Sequence, residues 1–125
     1  MRAWAFGLMA AVMIATTGYA ETLKEASITL DEGNVRPFFD RLTTVIDGGF
    51  GPGERDGMAK LIDGMKPDDE QSRTFSVKYD GREVPLRIVA VMGSRRAARI
   101  EFLTSPELAH RIQKEKNIFL DDLDR

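Results

Sequence analysis

The sequence predicts an α+β domain with two N-terminal helices, a three-stranded antiparallel meander and a C-terminal helix, packed as a two-layer sandwich. Three observations lead there. Apolar residues from Val35 to Ile46 recur with helical spacing, Asp80-Gly81 joins two segments that alternate apolar and polar, and Ser105-Pro106 opens another helically periodic segment.

The domain is preceded by a leader. "MRAWAFGLMAAVMIATTGYA" has a single positive charge at Arg2, an apolar run from Ala3 to Ala15, and small residues Gly18 and Ala20 before Glu21. This is the pattern of a cleaved signal peptide over residues 1–20. A span needs about 20 predominantly apolar residues, so no stable membrane span is expected after cleavage. Removal of the leader leaves residues 21–125 as one small domain, periplasmic or secreted, with 17 basic residues against 20 acidic. That mildly acidic balance argues against a nucleic-acid partner. With no cysteine, neither disulfides nor thiol chemistry are available, and the core alone must hold the fold.

Glu21–Leu30 supports two readings. Leu23, Ala26 and Leu30 fit a helical face, whereas Ala26, Ile28 and Leu30 fit a strand; a helical start fraying into an extended segment is expected. The first clear helix is capped by Asn34, with Pro37 in its first turn, where a missing N–H costs nothing. Val35, Phe38, Phe39, Leu42, Val45 and Ile46 form its apolar face, and Gly48-Gly49 should stop it. "GGFGPG" superficially suggests a phosphate loop, but it follows a helix and continues Glu-Arg rather than Lys-Ser/Thr, so it reads as a connector with Phe50 tucked into the core. A weaker helix near Glu54–Met65 follows, its stripe made of Met58, Leu61, Ile62 and Met65. Lys66–Ser72 reads as a polar linker whose acids lack the alternating spacing of a calcium loop.

The Asp80-Gly81 turn fixes the first hairpin. A two-residue loop pairs Tyr79 with Arg82, Lys78 with Glu83, Val77 with Val84 and Phe75 with Leu86. Pro85 then turns its missing N–H toward the third strand, which must be ending at that level. For the second hairpin, a loop of three or five residues keeps the core face apolar and pairs Ala90 with Ala98, Ile88 with Ile100, Leu86 with Phe102 and Arg87 with Glu101. The last helix begins with Ser105 as cap and Pro106 at its first position, carries Leu108, Ala109 and Ile112 inward with a Glu107–Arg111 pair, and stops near Asn117; Ile118, Phe119 and Leu120 should pack back as a tail.

Catalytic chemistry is hard to assemble from this chain. The lone His110 falls on the solvent side of its helix, no serine sits in a nucleophile elbow, and no pair of carboxylates is singled out. A non-enzyme without cofactor or metal is therefore expected. The candidate contact patch lies on the outer sheet face: Arg87, Val89, Val91 and Arg99, with Arg95 at the adjoining turn. Val89 and Val91 are either covered by Glu21–Leu30 or by the tail, or form a small interaction surface. The expected function is an exported, non-catalytic protein-interaction module for an unknown envelope protein. The alternative is a carrier for a small apolar ligand or lipid, held between helices and sheet near Met58, Met65 and Met92.

Overall fold

The computed structural model describes residues 23–124; the leader reading for residues 1–20 lies outside them. The chain runs β1 (Lys24–Asp31), α1 (Val35–Thr43), α2 (Pro52–Asp63), β2 (Glu70–Tyr79), β3 (Arg82–Met92), β4 (Ala97–Thr104) and α3 (Pro106–Leu123). The sheet is antiparallel, four-stranded and ordered β1-β4-β3-β2. The helices pack on one of its faces, which makes an α+β two-layer sandwich.

The expected meander is present as β2-β3-β4, but the sheet has a fourth strand. The segment expected to start as a helix is β1, paired with β4 through Ala26–Phe102, Ile28–Ile100 and Leu30–Ala98. Alternation decides against the helix: those three side chains are buried on the core face, and the residues between them point to the outer face. Burying three apolar groups outweighs the weak helical propensity of so short a segment.

The Asp80-Gly81 hairpin has the expected register throughout, including Ser76 opposite Pro85. Both turn residues take positive φ, as a type I′ turn requires. β4 ends at Thr104, opposite Leu86, so no strand residue faces the missing N–H of Pro85. The buried Thr104 hydroxyl donates to the Pro85 carbonyl at 2.6 Å and closes the ladder there.

The second hairpin keeps the expected faces but is shifted by two residues. Ala90 faces Ile100, Ile88 faces Phe102, Leu86 faces Thr104, and Arg87 faces Leu103 rather than Glu101. The turn explains the shift. The Gly93 N–H donates to the Ala97 carbonyl at 2.9 Å, enclosing Ser94, Arg95 and Arg96, and Arg96 takes φ +62°. This is a three-residue loop closed by a left-handed residue. Arginine is an unusual occupant of that conformation, and its side chain shows what offsets the cost. Its Nη atoms donate to the carbonyls of Met65 and, at 3.0 Å, Asp63, at the C-terminal end of α2. The Arg96 carbonyl accepts from the Glu32 N–H at 3.1 Å. One residue thus ties the turn to α2 and to the end of β1.

Helix limits differ from expectation for local reasons. α1 stops at Thr43, before Gly48-Gly49, because the hydroxyls of Thr43 and Thr44 bond back to the carbonyls of Asp40 and Arg41 at 2.6 and 2.7 Å. Gly48 and Gly49 serve instead as an edge contact: Asp47 donates to the Lys78 carbonyl at 2.8 Å and Lys78 donates to that of Gly48 at 2.7 Å. α2 begins at Pro52, two residues early, since the Glu54 carboxylate accepts the Gly51 N–H at 2.8 Å and draws the chain into the first turn. β2 begins at Glu70 and takes up the end of the expected linker. α3 continues past Asn117 to Leu123 because Ile112, Glu115 and Phe119 extend its buried stripe, while Asn117 is exposed and helical.

The core lies between the two layers. Phe38, Phe39, Phe50 and Phe102 are fully buried. Their rings meet in a chain of tilted and edge-on contacts: Phe38 with Phe102 and Phe119, Phe39 with Phe50 and Phe102, and Phe50 with Phe75. Met58, Met65 and Met92 belong to the same core.

Candidate functional site

Two features stand outside the core packing. The first is the outer face of the sheet. On β3, Glu83, Pro85, Arg87, Val89 and Val91 alternate away from the buried Val84, Leu86, Ile88, Ala90 and Met92. Neither expected cover for Val89 and Val91 lies over them: β1 sits beside β4 as the next strand, and Phe119 and Leu120 pack in the helical layer. Val89 is nonetheless only 8% exposed, hemmed in by its neighbours Ser72 and Glu101 on the adjoining strands.

The structure brings four of the five expected patch residues onto this face. Val91 faces Arg99 across the β3–β4 ladder, Val89 is two residues away, and Arg87 lies beyond it opposite Leu103. Arg99 pairs with Glu101 along β4 at 3.1 Å; Arg87 has no ion pair among the described residues. Arg95 is exposed at the hairpin tip, at the end of the patch. The arginines do not converge on a common point, so the face offers separate cationic contacts around an apolar strip of Val89, Val91 and Leu103.

The second feature is a groove on the far side of the helical layer, between α1 and α3. It is an open trough of about 570 Å³, lined by Pro37, Asp40, Arg41, Thr44 and Val45 of the α1 segment and by Arg111, Glu115 and Phe119 of α3. Glu115 is buried, with 6% of its surface exposed. Its two carboxylate oxygens each take one arginine: Arg41 Nε at 2.7 Å and Arg111 Nε at 3.0 Å. The expected Glu107–Arg111 pair is replaced by this one, because Arg111 turns toward the groove while Glu107 lies 3.9 Å from Arg82.

The electrostatics of the cluster follow from that geometry. Burial favours the neutral acid, but the hydrogen bonds and charges of Arg41 and Arg111 outweigh it and hold the Glu115 carboxyl below its ordinary value of 4.5. In turn, Glu115 chiefly, opposed by burial, raises Arg111 above its ordinary value. A depressed carboxylate contributes stability above the unfolded-state pKa and loses it as pH falls through the folded one. The stability advantage of the natural protein over Glu115→Gln should therefore be complete well above pH 4.5 and shrink as the pH falls below 4.5 through the lower folded-state value. Urea unfolding at a series of pH values measures this; a difference independent of pH would contradict the ionised pairing.

The groove was the part that sequence reasoning missed. Its signal was present: Glu115 occupies an inward position of the stripe Leu108, Ile112, Phe119, where a carboxylate has to find a cation. Ending the helix at Asn117 cut Phe119 from that stripe and hid the pattern.

Among the described residues, no group of three or more histidine, cysteine or acidic side chains is placed to hold a metal, and no helix is long and apolar enough to cross a membrane. His110 is exposed on α3. Comparison of the chain with protein-family models, with curated proteins and with solved structures finds no match.

Proposed function

We propose that this is an exported, non-catalytic interaction module that docks a polypeptide on the outer face of its sheet. The observation that carries the reading is the uncovered sheet face on which half-buried Val91 and Leu103 lie beside buried Val89, flanked by the exposed guanidinium groups of Arg87 and Arg99. Arginine beside apolar side chains is enriched where proteins meet, because its planar head can hydrogen-bond while its stem packs. At about 3.4 Å per residue and about 4.8 Å per strand, four strands of eight residues give a footprint near 500 Å². That is the scale of a transient contact rather than an obligate subunit interface. The leader-like residues 1–20 support export.

The test is photo-crosslinking in the producing cell, with the full gene. A photoreactive residue at Leu103 should give one dominant protein adduct, absent when the label is at Lys114 on the helical layer, and Val91→Asp should reduce the Leu103 adduct about tenfold or more. Equal labelling from Leu103 and Lys114, or an adduct that survives Val91→Asp, would sink the docking face. Intact mass of the isolated chain should correspond to a start at Glu21; a chain that still begins at Met1 would remove the export part of the proposal.

A further inference from the structure

The α1–α3 groove carries more charge than its packing requires. Asp40, at its lip, belongs to a chain of ion pairs with Arg55, Asp56 and Arg36, two cations and two anions, which balances. Inside, two guanidinium groups share the single carboxylate of Glu115. One positive charge is left over. A purely structural tie between the helices would need one arginine for one carboxylate, and a second cation held against the first costs repulsion unless something else compensates it.

The geometry also leaves donors in place to do so. Arg41 and Arg111 each bond Glu115 through Nε. The Nε bond fixes the plane of each guanidinium; Arg111 also hydrogen-bonds Tyr79, and the remaining Nη donors, those of Arg41 foremost, are left for a planar acceptor. Both arginines are partly exposed while Glu115 is not, so a visitor meets these cations rather than Glu115; the exposed Asp40 carboxylate at the lip is held by Arg55. Beside them the groove offers apolar surface from Val45, Pro37 and Phe119. Its volume falls within the range of about 300–1,000 Å³ typical of small-molecule sites.

We infer that this groove binds an amphipathic organic acid, its carboxylate on Arg41 and Arg111 and its apolar body against Phe119 and Val45. The leftover single charge matches a monoanion. Glu115 is then a positioning residue: it orients both guanidinium groups and, by competing for them, keeps the site from being too tight. The groove lies on the helical layer, away from the outer face of the sheet, so this inference stands apart from the docking proposal.

The two roles of Glu115 make the inference testable. The probe is octanoate, followed through the Arg Nε–Hε resonances of the isolated full-length gene product. Octanoate should shift the Arg41 and Arg111 signals saturably, and octylammonium and octanol should not. Arg111→Gln should weaken octanoate about tenfold, and Arg41→Gln should do the same, which guards against either variant misfolding. Glu115→Gln, by contrast, should tighten it roughly threefold, since the competing charge is gone. A structural tie alone predicts no saturable binding in any of these proteins. Non-saturable shifts, equal response to octylammonium, or a Glu115→Gln protein that binds octanoate no better would each overturn the inference. Octyl phosphate provides the last comparison: a dianion that binds more tightly than octanoate would move the assignment from a carboxylate head group to a phosphate one.

Discussion

Gly49→Ala is expected to destabilise the domain by about 3–5 kcal/mol, combining the cost of a left-handed backbone for an L-residue with that of overpacking. The position has φ +87°, and a Cβ there would lie 2.2 Å from the Ser76 carbonyl oxygen and 2.7 Å from the Val77 Cα. Both obstacles are backbone atoms of β2, so no rotamer change relieves the clash. The loop must lift off, and it carries the Asp47 and Gly48 hydrogen bonds to Lys78 with it. Phe50, fully buried one residue later, is pulled from its contacts with Phe39 and Phe75. Gly33 provides the control. It too has positive φ, at +98°, but nothing lies within 4 Å of its would-be Cβ, so Gly33→Ala should cost only the backbone term of about 1–2 kcal/mol. Chemical denaturation of the two variants separates the contributions; equal losses would show that close approach to β2 is not what Gly49 provides.

Phe38→Ala should cost about 3–5 kcal/mol, the range for removing a fully buried phenyl ring. Phe38 is 0% exposed and joins three elements, its ring 6.0 Å from Phe102 of β4 and 5.2 Å from Phe119 of α3. The cavity would open where both helices meet the sheet, and partial collapse would have to move whole elements. Against a total stability of about 5–15 kcal/mol for a domain of this size, such a loss should lower the melting temperature by more than about ten degrees. Phe38→Leu should recover most of the loss, since it refills volume without polar cost. Thermal melts of the two variants side by side provide the measurement; a Phe38→Ala protein that melts within a few degrees of the natural one would show that α1 is not needed to seal this core.

The parts of the fold legible in the sequence were those governed by local chemistry. Asp80-Gly81 specifies its turn, Ser105-Pro106 specifies its helix start, and Pro85 correctly implied where β4 must end. What escaped was governed by partners distant in sequence. Ala26, Ile28 and Leu30 become a strand only because β4 is there to receive them. The second hairpin lies two residues from the register its faces suggest, because a shift of two preserves every inward and outward side chain. Only the turn could settle it, and the deciding residue, Arg96, is an arginine in a conformation that sequence reasoning assigns to glycine or asparagine. The candidate patch was legible for a related reason: membership of a face survives a shift of two, so Arg87, Val89, Val91 and Arg99 share one face in either register. Their actual neighbours, Val91 with Arg99 and Arg87 with Leu103, were not.

The placement of β1 beside β4 has a kinetic consequence. The two hairpins close over a few residues each, whereas joining Asp31 to Ala97 closes a loop of about 65 residues. On a logarithmic closure law the entropic cost is about 4 kcal/mol for the long loop against about 1 kcal/mol for a three-residue turn. The first strand made is thus the most expensive to seat, and it has no partner until the C-terminal third of the chain exists. During synthesis the N-terminal half cannot complete its core by itself. The wiring order delays closure of the sheet until β4 has been made.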